Sequence, residues 1–109
     1  MEDITDFRKY QEWARTTSVL TTDRGRVDYG LLNMAGEVGE ITSKHAKAVR
    51  DGTELDVKDL TKEVGDLMWS IACYCDGMGI EFDDVFYGNM HKLNSRKARN
   101  KIAGSGDNR

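Results

Sequence analysis

The chain has no proline and only two cysteines. Without proline, the strongest helix breaker is missing throughout, so long helices meet no obvious interruption. Cys73 and Cys75 lie two apart in a helical stretch and point away from each other. A disulfide or a shared metal between them is therefore not expected; buried, reduced thiols are, which fits a reducing compartment. Long apolar runs are lacking too. None approaches the roughly 18 residues of a membrane span, and the charged start "MEDITDFRK" does not read as a secretory signal. Sustained period-two alternation is also missing, so no strand pattern competes. These absences predict a cytoplasmic, all-α protein that does not engage membranes.

What is present fits that class. At 109 residues, 39% apolar and 32% charged, the sequence predicts one domain over residues 1–109. A core of this size is often supplemented by oligomerisation. The net charge of −3 hides an asymmetry: from Lys92 onward six basic residues face one acid, Asp107. A basic end on an acidic body suits the phosphates of a compact ligand better than a nucleic-acid surface, and no stable nucleic-acid binding is expected.

Four helices and a tail are predicted. The first covers residues 6–16. The stretch "TTSVLTTDRG" then breaks the pattern, because hydroxyl and β-branched residues favour caps and turns. A second helix covers about 28–50 and stops at Gly52. Asp56 caps a third, which Gly77 and Gly79 end. The fourth covers about 82–97, and "NKIAGSGDNR" follows as a glycine-rich tail over about 98–109 without regular structure. The third helix is apolar on more than one side, which places it in the middle of a bundle that a partner subunit completes.

The second and third helices each carry an acid pair spaced by three, Glu37/Glu40 in "GEVGE" and Glu63/Asp66 in "KEVGD". At 100° per residue, Asn33, Glu37, Glu40, Lys44 and Lys47 form one polar stripe, while Leu31, Val38 and Val49 point toward a core. A short "DGTEL" connection makes the two helices antiparallel neighbours, so the acid pairs face each other across a groove. Gly36, Gly39 and Gly65 each cost up to about 1 kcal/mol in a helix interior, and close backbone approach beside the acids is the expected return. Four carboxylates in one groove raise one another's pKa unless a cation joins them, and hard oxygen ligands select Mg²⁺ or Mn²⁺. Solvated glutamates three apart are the plain alternative for either pair alone. A di-iron bundle needs Glu-x-x-His, which neither His45 nor His91 supplies. His45 falls on the apolar side and is expected to be packed; His91 is expected to be exposed.

Together "YQEWARTT", "MAGEVGEITSKHAKAVRDG", "LTKEVGDLMWSIA" and "NMHKLNSRKARNKIAGSGDNR" resemble the MazG-like all-α nucleoside triphosphate pyrophosphohydrolases, from about residue 7 to 109. The ending is most like that of compact single-domain members, including those of bacteriophages, for which the compartment is the host cytoplasm. The resemblance implies a four-helix MazG-like bundle, a homodimer or homotetramer. It implies hydrolysis of a nucleoside triphosphate to monophosphate and pyrophosphate with Mg²⁺ or Mn²⁺, in control of a nucleotide pool. Carried onto this sequence, Glu37, Glu40, Glu63 and Asp66 are the catalytic metal ligands, and one of the first pair also accepts a proton from the attacking water. The run Asn89, Lys92, Arg96 implies a phosphate grip, to which Lys44 and Arg109 of the tail add charge. Gln11, Trp13 and Asn33 are the candidates to read the base. Ser70, where some relatives carry tyrosine, enlarges the pocket and leans the substrate toward dGTP. The alternative function is a non-catalytic helical regulator that binds a nucleotide or partner on the same bundle.

Overall fold

The computed structural model describes Ile4 and residues 6–109. Its elements are α1 (Phe7–Thr17), α2 (Asp23–Asp51), α3 (Val57–Met78) and α4 (Phe82–Ala98), with no strand among the described residues. Each of the first three starts on a side-chain cap. Asp6 accepts from the Lys9 amide at 2.8 Å, Thr22 from Gly25 at 3.0 Å and Asp56 from Asp59 at 3.2 Å. The Thr22 cap explains why α2 begins five residues earlier than its apolar pattern suggests: one of the hydroxyls that break α1 also starts α2.

Gly52 and Gly79 end α2 and α3 in the left-handed region, at φ 65° and 71°. Gly77 does not end α3. A Cβ there would sit 2.6 Å from the Asp23 carbonyl oxygen, and one at Gly30 would sit 2.7 Å from the Tyr74 amide nitrogen. These two glycines let α2 and α3 touch backbone to backbone. Gly36, Gly39 and Gly65 do not serve this purpose, since a Cβ at any of them meets nothing within 4 Å. The close approach is real, but it lies about two turns before the acids, not beside them.

Helix α2 packs along α3, while α1 and the start of α4 close over another side of α3. The buried centre is Ala14, Ala72, Cys75 and Phe82, ringed by Phe7, Tyr10, Met68, Trp69 and Phe86. Phe7 stacks on Phe86 with centroids 3.9 Å apart, and Trp69 Nε1 donates to Thr17 Oγ1 at 2.7 Å. Asp76 ties three helices: Arg15 of α1 donates to it at 2.9 Å, and Arg26 Nε of α2 lies 3.1 Å away, off the line of a good hydrogen bond.

Leu31, Val38 and Val49 are exposed rather than buried, and His45 is exposed as well. The reason is geometric. The 29-residue α2 packs mainly against α3, and α4 leans on α1, so no described helix covers the far face of α2. The radius of gyration is 16.9 Å, against about 13 Å for a compact chain of this length. The tail packs back on α4 through turns: Arg99 donates to the Arg109 carbonyl at 2.8 Å, and Arg109 Nη2 to Ile102 O at 3.0 Å. No described helix is long and apolar enough to cross a membrane.

Candidate metal and nucleotide site

Helix α2 delivers Glu37, and α3 delivers Glu63 and Asp66 one turn apart. One carboxylate oxygen from each lies within 4.8 Å of the others. Glu37 and Glu63 are half-buried and Asp66 is exposed, so the trio opens to solvent on one side. Glu40 stands one turn further along α2, exposed and outside the trio, though its charge still acts on Glu37. Glu37 Oε2 is buried without a partner. Burial first, then a hydrogen bond with the Glu63 carboxyl and the charges of Asp66, Glu63 and Glu40, push the Glu37 carboxyl above its ordinary value.

An unpartnered buried carboxylate oxygen among like charges is what a hard cation resolves, and the donor set is all oxygen. The residues present therefore fit a divalent ion such as Mg²⁺ or Mn²⁺. Lys44 supplies part of the compensation from its place two turns along α2. Its ammonium donates to Asp59 and lies 3.9 Å from Glu63 Oε1.

Asn33, one turn before Glu37, meets the same wall. Its Nδ2 donates to Ser70 Oγ at 2.6 Å, and Ser70 Oγ donates to the Asp66 carbonyl at 2.9 Å. Because the single hydroxyl proton goes to Asp66, Ser70 can only accept from Asn33, which fixes the orientation of the amide. Ser70 is fully covered where the two helices touch, so its small size serves the helix contact and opens no pocket of its own.

Among the described residues, no hydrogen bond or ion pair joins the other sequence candidates to this cluster. Gln11 is buried with both ends of its amide used, donating to Ile80 O at 2.7 Å and accepting from the Phe82 amide at 3.0 Å. It clamps the turn between α3 and α4. Trp13 is partly exposed beside Tyr10, with ring centroids 5.6 Å apart. On α4, Asn89 is exposed, while Lys92 and Arg96 are both engaged by the tail. Arg109 spends its guanidinium on the carbonyls of Lys101, Ile102 and Gly106. A cleft of about 530 Å³ beside Phe7, Asp83 and Tyr87 has none of these acids in its lining. A hollow of about 210 Å³ at the turn between α2 and α3 is lined by Lys44, Lys47 and Asp59.

Sequence reasoning did not foresee two partners: the Ser70 bridge between Asn33 and Asp66, and Asp107 on the α4 cations. A signal existed for each, since Ser70 shares the acid stripe of α3 and Asp107 is the one acid in a basic end.

Two comparisons with known proteins bear on this arrangement. The profile of the MazG nucleotide pyrophosphohydrolase domain matches residues 29–100, a span holding all four acids, Lys92 and Arg96. The chain is also 39% identical over 87 residues to the Gene 37 protein of Mycobacterium phage L5, covering 76% of each chain. No solved structure gives a significant match.

Proposed function

The chain belongs to the MazG nucleotide pyrophosphohydrolase family, and we propose that it hydrolyses a nucleoside or deoxynucleoside triphosphate to the monophosphate and pyrophosphate in control of a nucleotide pool. The observation that carries this reading is the meeting of Glu37, Glu63 and Asp66 with a buried Glu37 oxygen left unpaired. Those three, with Glu40 at the exposed edge, hold Mg²⁺ or Mn²⁺. The bound ion supplies charge neutralisation at the triphosphate and lowers the pKa of a water.

The chain's own residues do the rest. Lys44 keeps positive charge at the rim of the acids, and Lys92 and Arg96 hold the outer phosphates and the pyrophosphate that leaves. Asn33, its amide oriented by Ser70, reads the base one turn from Glu37. The uncovered apolar face of α2, with Leu31, Leu32 and Val38 exposed, is where a second copy packs to form a homodimer or a pair of dimers.

The test is incubation with a panel of ribo- and deoxynucleoside triphosphates plus Mg²⁺ or Mn²⁺, with products separated by ion exchange. Monophosphate with pyrophosphate is the expected outcome. Diphosphate with free phosphate would mean attack at another phosphorus. Binding without any product, from folded and metal-loaded protein, would leave the non-catalytic regulator as the function.

A further inference from the structure

The tail returns to helix α4 and places a carboxylate on its cations. Asp107 Oδ1 lies 3.3 Å from Lys92 Nζ and 3.4 Å from Arg96 Nη2. Arg96 Nη2 also donates to the Asp107 carbonyl at 2.8 Å and to the Gly106 carbonyl at 3.3 Å. The result is a guanidinium only 4% exposed on an otherwise open stretch of helix. Its Nε is buried with no acceptor. The Asp107 side chain itself is 82% exposed.

Three features of this contact point one way. First, Lys92 and then Arg96 hold the Asp107 carboxyl below the usual range, so it is an anion at neutral pH. Second, it meets Arg96 through one nitrogen and leaves the second donor of the guanidinium fork unmet. A phosphate, with more charge and three acceptor oxygens, satisfies such a fork better than this carboxylate does. Third, the tail is built to leave as a unit: Gly104 and Gly106 bend it at φ 121° and 85°, and Arg109 knits residues 101, 102 and 106 together by their carbonyls.

We propose that Asp107 is an internal competitor for the phosphate grip: in the free chain its carboxylate occupies the place on Lys92 and Arg96 that a substrate phosphate or pyrophosphate takes, and binding exchanges one anion for the other and lifts the tail from α4. The proposal rests on the reading of Lys92 and Arg96 as phosphate ligands. The exchange makes the enzyme discriminate between a triphosphate and weaker anions, because a single carboxylate or monophosphate gains little over the contact it displaces.

The experiment is titration of the full chain and its Asp107→Asn variant with inorganic pyrophosphate in metal-free buffer, followed by calorimetry. Asp107→Asn is expected to bind about three- to tenfold more tightly, the scale of two ion pairs made by an exposed carboxylate. Adding Lys92→Ala to that variant is expected to reverse the gain. In the unmodified chain, the Gly104 and Gly106 amide resonances are expected to move to unstructured positions at saturation. Equal or weaker binding by Asp107→Asn, a gain that survives Lys92→Ala, or glycine resonances that stay in place would each overturn the exchange. Turnover measured beside it separates the two readings. An active enzyme with no Asp107 effect retains the proposed function and loses the competitor, whereas an inactive one with the full effect does the reverse.

Discussion

Helices α2 and α3 meet at two acidic places, and the two are built in opposite ways. At one end Asp76, its side chain 6% exposed, has Arg15 and Arg26 against it and backbones packed through Gly30 and Gly77. At the other end Glu37, Glu63 and Asp66 have each other, one more distant lysine and an orphaned oxygen. A compensated buried charge holds helices together; an uncompensated group of like charges loosens them. The second arrangement is one that a ligand supplying the missing charge would resolve, so geometry alone sets Asp76 apart from the candidate metal ligands.

The sharpest way to break this contrast is to remove charge from each end. Asp66→Asn, Glu63→Gln or Glu40→Gln is expected to abolish turnover with the helical circular dichroism unchanged. Near-normal rates from any of them would remove that residue from the ligand set. Asp76→Ala is expected to do the reverse. It leaves Arg26, whose side chain is 12% exposed, without its inter-helix partner. We expect a loss of about 3 kcal/mol by urea denaturation, the low end for breaking a buried pair because Arg15 is half exposed. A loss below about 1 kcal/mol would show that the glycine contact, not the ion pair, fixes that end.

The ion itself sharpens the comparison next. Mn²⁺ or Mg²⁺ at a hundred times its dissociation constant is expected to stabilise the chain by about 2.7 kcal/mol, read as a rise in melting temperature. Asp66→Asn is expected to remove that rise and Asp76→Ala to keep it. The cysteines give a smaller contrast. Burial pushes the Cys73 thiol up to about 11 and raises that of Cys75 as well, so neither is expected to react with a thiol reagent at neutral pH until the chain is unfolded. Rapid labelling of the native protein would contradict their burial.

The sequence carried the helices because their signals are local: Asp56 starts an element and Gly52 stops one wherever the chain goes. It also carried the meeting of Glu37 with Glu63 and Asp66, because a short connection and a 3.6-residue period leave two helices few ways to face each other. Local signals failed where the answer depended on a neighbour. Nothing in "GEVGE" or "KEVGD" distinguishes a glycine that faces a helix from one that faces water, so the pattern points to Gly36, Gly39 and Gly65 while Gly30 and Gly77 make the contact. Leu31, Val38 and Val49 have core-like spacing, yet nothing among the described residues covers them. Gln11 looked available for a base and instead serves two backbone groups 69 and 71 residues away. The tail's contacts were similarly hidden, since a glycine-rich end gives no register from which to place Asp107.

The smallest effect tests the electrostatic premise most directly. Glu37 is held above its ordinary value of 4.5 by burial first and then by Glu63, Asp66 and Glu40. A raised carboxyl binds its proton more tightly folded than unfolded, so the folded chain is favoured at low pH. That advantage is lost as pH rises from 4.5 through the raised value. The groups shifted the other way, Asp51 and Asp107, start from 3.8 and are lowered, so their contribution falls away only in more acidic solution. The window above pH 4.5 therefore belongs to the acid groove. In EDTA the melting temperature is expected to fall across it, and Glu37→Gln to flatten that fall and stabilise the chain by on the order of 1 kcal/mol near neutrality. With Mn²⁺ present the slope is expected to reverse, because the ion needs the carboxylates deprotonated. A metal-free chain whose stability does not change across this window would mean that the acids are solvated separately, and the contrast with Asp76 would lose its physical basis.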